Sequence, residues 1–167
     1  MEPSPILRAE RPDDESFIYQ LFVETRLAEI APLLWTQSQQ AAFLHHQLKL
    51  QTTHYRTHYP TGTFSIIQLD NCPIGRLYVG RESHEIWVID ITLAAEYRNR
   101  GIGGILLRAL LAEATTTGQA VKLHVERSNP AWRLYQRLGF REFQDQGIYL
   151  EMEWRTPMRT VTGSIGH

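Results

Sequence analysis

The chain has 167 residues, 43% of them hydrophobic and 21% charged, with a formal net charge of −1. These figures suit one globular domain, are short for two, and supply no global electrostatic pull toward nucleic acid or a membrane surface. A single cysteine, Cys72, excludes an internal disulfide. Without an apolar N-terminal stretch like a signal peptide or a run long enough to span a bilayer, a cytoplasmic protein is the expectation.

Residues 1–5 lack apolar periodicity and read as a flexible N-terminus, residues 6–155 as one domain, and residues 156–167, rich in Thr, Gly and Ser, as a flexible tail. Ile6-Leu7-Arg8-Ala9 suits a short strand. Pro12-Asp13-Asp14 opens a helix carrying Ile18, Leu21, Phe22, Thr25 and Arg26, which Ile30-Ala31-Pro32 interrupts. Thr36 starts a second helix, with Ala42, Leu44, His45, Leu48 and Tyr55 at helical spacing, ending near Pro60. Phe64 to Ile67 and Ile74 to Val79 form a hairpin about the turn Asp70-Asn71. The run Ile86 to Leu93 is apolar on both faces save for Asp90 and Thr92, the mark of a central strand.

The next helix repeats Ile102, Ile105, Leu106, Ala109, Leu110 and Glu113 and stops near Gly118. Val121 to Val125 alternates as a strand. Ser128-Asn129-Pro130 caps a short helix from Ala131 to Leu138, closed by Gly139, and Phe140–Phe143 and Ile148–Trp154 finish as strands. The order β-α-α-β-β-β-α-β-α-β-β mixes hairpins with strand–helix–strand crossovers. The fold class is therefore α+β or mixed α/β, not doubly wound.

Between the central strand and the third helix stands Arg98-Asn99-Arg100-Gly101-Ile102-Gly103-Gly104. A helix start offers unpaired N–H groups and the positive end of the macrodipole, and glycine lets that backbone approach an anion closely. A diphosphate cradle fits this construction, and dinucleotides, nucleotides and acyl carriers all contain one. Leu106 stands where a dinucleotide motif wants its third glycine, no acidic residue lies near Gln119 and Ala120, and no Gly-Lys-Ser/Thr occurs.

Arg98-x-x-Gly101-x-Gly103 after a strand, followed about thirty residues later by Asn129-Pro130-Ala131-Trp132-Arg133-Leu134-Tyr135-Gln136-Arg137-Leu138-Gly139-Phe140, resembles the two signature blocks of the GCN5-related N-acetyltransferase (GNAT) superfamily. The element order resembles that family from Ile6 to Trp154. The resemblance implies a mixed, mostly antiparallel sheet of about seven strands flanked by four helices, with strands splayed at the cofactor. It implies acetyl-CoA as acetyl donor, its pyrophosphate on the N–H groups of Asn99, Arg100, Gly101, Ile102, Gly103 and Gly104 with charge from Arg98 and Arg100. Pantetheine would pair with the edge of Ile91, Thr92 and Leu93, run between Leu93 and Val125, and meet Asn129. A bulge near Asp90 would open that gap.

The same resemblance makes Tyr135 the general acid toward the departing thiolate, a task that a phenol with pKa of about 10 suits. Asp90, a carboxylate in an apolar strand, is the first candidate for a base, beside His124, Glu126 and Glu85. The acceptor, a primary amine of a small molecule or peptide, would meet the Arg26–Tyr59 region, where Trp35, His45, His46, Tyr55 and Tyr59 lie. His54 and His58 stand at metal-ligand spacing without a third ligand, so no metal is expected. Neither nucleic acid nor membrane is implied as a partner, and a homodimer is common in the family. A non-catalytic acyl-CoA-binding module on the same fold is the other reading.

Overall fold

The computed structural model describes residues 2–157. The expected tail, residues 156–167, lies outside the described residues from position 158 onward. Seven strands and four helices follow in chain order: β1 (Ile6–Ala9), α1 (Glu15–Ile30), α2 (Gln37–His58), β2 (Thr63–Leu69), β3 (Cys72–Arg81), β4 (Glu85–Leu93), α3 (Ile102–Thr117), β5 (Ala120–Glu126), α4 (Trp132–Arg137), β6 (Arg141–Gln146) and β7 (Tyr149–Trp154). They form one sheet in the order β1-β2-β3-β4-β5-β7-β6. Every pairing is antiparallel except β4 with β5, which the α3 crossover joins in parallel. No described helix is long and apolar enough to cross a membrane.

Local chemistry accounts for the boundaries. Thr36 caps α2, its hydroxyl accepting from Gln39 N while Gln39 Oε1 accepts from Thr36 N. Gly118, in the left-handed region with φ 70°, stops α3. Two cores then form on the sheet. Ile102, Leu106, Leu107, Leu110, Leu111 and Ala114 of α3 pack against Ile86, Val88, Leu123 and Val125, while Ile18, Phe22, Leu44 and Leu48 of α1 and α2 cover Ile66.

Three details depart from the sequence expectation. The inward face of α3 is rotated to include Leu107, Leu111 and Ala114 and leaves Ala109 exposed; leucine pairs at 106–107 and 110–111 let more than one face be apolar. The inward stripe of α2 runs through Ala41, Leu44, Leu48, Gln51 and Tyr55, with Ala42 and His45 exposed, because Gln51 finds a buried partner and so faces inward. The helix α4 is shorter than Ala131–Leu138, and β6 starts at Arg141 and runs on to Gln146, exposed on both faces.

Candidate acetyltransferase site

The sheet opens at its centre. β4 and β5 pair from Glu85↔Ala120 to Val88↔Leu123 and no further, although both strands continue, to Leu93 and to Glu126. β3 pairs with β4 as Tyr78↔Asp90 and then Val79↔Val88, so Ile89 is the extra residue of a bulge beside Asp90. The bulge coincides with the point of separation and leaves the edge of Ile91, Thr92 and Leu93 that faces β5 without a strand partner.

Beyond Leu93 the chain makes a single turn at Ala95–Tyr97 and enters α3. Ala95 N donates to Glu24 Oε2 at 3.0 Å, which ties α1 to this end of β4. Arg98 Nε donates to Leu93 O at 2.9 Å, and the Arg100 guanidinium lies over the Tyr97 ring. Asn99 and Gly101 adopt left-handed backbone, φ 60° and 81°, on either side of Arg100, an alternation that turns N–H groups into one concavity. From Asn99 to Gly104, no N–H donates to an acceptor among the described residues; the first that does is Ile105 N, to Gly101 O at 3.1 Å. A Cβ on Gly103 would meet only Leu134 Cδ2, at 3.7 Å. Six donors, a helix N-terminus and an open glycine face suit a diphosphate.

Across the opening, Tyr135 of α4 is 7% exposed, packs edge-on against Phe140, and donates to no acceptor among the described residues. Burial, aided by the charge on Asp90, pushes its phenol up to about 12. Asn129 Oδ1 accepts from Ala131 N at 2.9 Å, closing the turn before α4, and leaves its NH₂ group as the donor.

Asp90 is not a bare carboxylate in an apolar strand. Arg76 Nη2 and the Tyr55 hydroxyl donate to its Oδ2 at 2.8 and 3.1 Å, and the Thr92 hydroxyl donates to its Oδ1 at 2.6 Å. Arg76 Nη2 also donates to Gln51 Oε1 at 2.8 Å. Burial, with the charge on Asp90 next, pushes the Tyr55 phenol well above its ordinary value, so Tyr55 stays a donor. Arg76 and Gln51 are absent from the sequence expectation. Their signal is an arginine between apolar strand residues, but Arg76 pairs with Thr92, which makes Asp90 its diagonal neighbour, and that register cannot be read from the sequence.

Of the remaining candidates, His124 Nε2 lies 3.8 Å from Glu151 on β7 and its ring lies 5.1 Å from that of Trp87. Glu85 is paired with Lys122, and Glu126 ends β5. His45 stacks on Tyr19, and His54 and His58 are neighbours with ring centroids 4.1 Å apart. No group of three metal-ligating side chains occurs among the described residues. The acceptor side also carries an open groove of about 390 Å³ between α1 and α2, lined by Tyr19, Val23, Glu24, Leu27 and Leu44 among others.

Several solved structures share this architecture. The PaiA N-acetyltransferase of Thermoplasma acidophilum, solved with coenzyme A, superposes with TM-score 0.67 at 18% identity, over 92% of this chain and 99% of that one. An acetyltransferase of Thermus thermophilus gives 0.66 at 19%, over 93% and 100%. A GNAT acetyltransferase of Elizabethkingia anophelis with acetyl-CoA bound gives 0.53 at 20%, over 65% and 83%. No curated protein sequence matches the chain. The profile of the acetyltransferase (GNAT) family, however, matches residues 15–140, which takes in both the open strand pair and the turn into α3, and the chain belongs to that family.

Proposed function

We propose that the protein transfers the acetyl group of acetyl-CoA to a primary amine by direct attack within a ternary complex. The observation that carries this reading is the run of unpartnered N–H groups from Asn99 to Gly104 beside the unpaired edge of β4. Two of the similar structures hold coenzyme A or acetyl-CoA, which supports the same donor here. A bound thioester supplies an activated acetyl group.

The chain's own residues divide the remaining work. The N–H groups of residues 99–104, with Arg100, would hold the pyrophosphate. Arg98 is already committed to Leu93 O and fixes the turn. The edge of Ile91, Thr92 and Leu93 would receive the pantetheine amides as a strand receives its neighbour, and an N–H there would face the thioester carbonyl. The Asn129 NH₂ group would donate to the same arm. Tyr135 holds its proton throughout the neutral range and delivers it from Oη to the departing sulfur.

Asp90 takes a positioning role in this reading. Three of its roughly four lone-pair sites are occupied, and a guanidinium stands opposite. It holds Arg76 and Tyr55 in place beneath the acceptor, while water carries off the ammonium proton. A thiol-release assay with acetyl-CoA and a panel of amines tests the function: release with at least one amine class is expected, and tight acetyl-CoA binding without release for any amine marks a non-catalytic binding module.

A further inference from the structure

The face of β4, β5 and β7 opposite α3 carries carboxylates that neither the fold nor the proposed chemistry uses. Strand alternation and contacts place Glu85, Trp87, Lys122, His124, Glu151 and Glu153 on it. Farther from the opening, the charges are already matched: Lys122 Nζ lies 3.4 Å from Glu85 and 3.6 Å from Glu153, over the Phe143 ring, and Arg155 pairs with Glu153. Nearer the opening they are not. Glu151 has a side chain only 9% exposed, accepts no hydrogen bond among the described residues, and has His124 Nε2 at 3.8 Å, beyond hydrogen-bond reach, as its nearest charged neighbour.

A carboxylate buried to this degree without a hydrogen-bonded partner is costly, and one that serves a ligand has a reason to persist. Glu126 follows on the same face by alternation. Because Glu126 pairs with Tyr149 and His124 with Glu151, the two carboxylates are diagonal neighbours, about 7 Å apart across the β5–β7 ladder. Trp87 and the His124 ring wall the site, and His124 is the residue immediately after the last β4–β5 pair. Two carboxylates beside an aromatic wall are the chemistry that holds an alkylammonium.

We propose that Glu126 and Glu151 form an ammonium subsite alongside the open strands, and that the acceptor is a small aliphatic diamine or polyamine, one nitrogen held here and another presented in the opening. The inference rests on the acetyl-transfer reading for its chemistry and on the carboxylate pair for its specificity. One strand spacing, about 5 Å, separates β7 from β5, so a chain of a few methylenes reaches from the subsite to the opening. A longer basic peptide would place its charges along the already matched Glu85–Lys122–Glu153 row.

The test compares 1,3- to 1,6-diaminoalkanes with monoamines of equal length, by CoA release and by calorimetric binding to the full-length protein in the presence of CoA. The expected result is a kcat/KM for the best diamine at least about tenfold above its monoamine, with Glu151→Gln and the half-buried Glu126→Gln each lowering that ratio and weakening diamine binding severalfold. Equal use of mono- and diamines, an unchanged ratio and affinity in both variants, or preference for a basic peptide over every diamine overturns it. If no amine releases CoA, the transfer reading fails, and the calorimetric comparison of wild type with the two variants still decides the subsite.

Discussion

Arg76 and Asp90 meet at 2.8 Å with side chains 4% and 8% exposed, on neighbouring strands at the bulge where the sheet begins to open. Removing one member of such a pair leaves the other charge buried and uncompensated, at a cost of about 3–5 kcal/mol. Asp90→Ala and Arg76→Met should each lower Tm by on the order of 10 °C in a chain of this size. The double variant Arg76→Met, Asp90→Leu should recover much of that loss. Calorimetric melting checks this, and single-variant losses under about 1 kcal/mol would show that the pair does not hold the bulge.

The milder Asp90→Asn variant separates positioning from proton acceptance. It keeps the shape and the Thr92 and Tyr55 contacts in part, so kcat should fall while the pH at which the rate rises stays where it is. Loss of the rising limb of the kcat/KM profile would assign the base to Asp90 after all.

Gly103 faces open space, its nearest neighbour to an added Cβ being Leu134 at 3.7 Å. Gly103→Ala should therefore leave the fold intact and raise helix stability by up to about 1 kcal/mol. Gly103→Asp places a negative charge over the N–H concavity and should weaken acetyl-CoA by about a hundredfold or more, with little change in Tm. Unchanged affinity by calorimetry would move the pyrophosphate elsewhere.

Tyr135→Phe should lower kcat at least about tenfold while leaving acetyl-CoA affinity largely intact. An unchanged kcat, in conditions where chemistry limits turnover, would remove the phenol from the proton transfer.

Alkaline pH should unfold the protein through its buried phenols. The Tyr135 phenol is raised to about 12 in the fold against about 10 in the open chain, so above pH 10 the unfolded state loses its proton first. Stability from this group is complete below pH 10 and disappears as pH climbs through 12, a loss of about 2–3 kcal/mol. Tyr55 and Tyr78, both raised chiefly by burial, act in the same direction. Denaturant midpoints at pH 9, 10 and 11 should fall progressively, and Tyr135→Phe should flatten part of the slope.

Element order and the cradle were legible because their signals are local: the interruption at Ile30-Ala31-Pro32, the Thr36 cap, the two-sided apolar run into Leu93 and the glycines that follow it. The network around Asp90 was not, because it depends on which residue of β3 stands diagonal to which residue of β4, and on a glutamine, Gln51, facing inward from a polar helix. The ammonium subsite stayed hidden for the same reason. Glu126 and Glu151 are 25 positions apart in sequence (151 minus 126) and become neighbours only through the β5–β7 register. The full extent of strand β6 was not legible because REFQDQ is exposed on both faces and shows no alternation to extend.

Amide hydrogen exchange with and without acetyl-CoA tests the central claim most directly, since the cradle is made of N–H groups that find no acceptor within the fold. Exchange should slow on binding at Asn99 to Gly104 and at the β4 edge, Ile91 to Leu93. Binding that leaves those amides exchanging as before, or no binding of acetyl-CoA at all, would contradict the account.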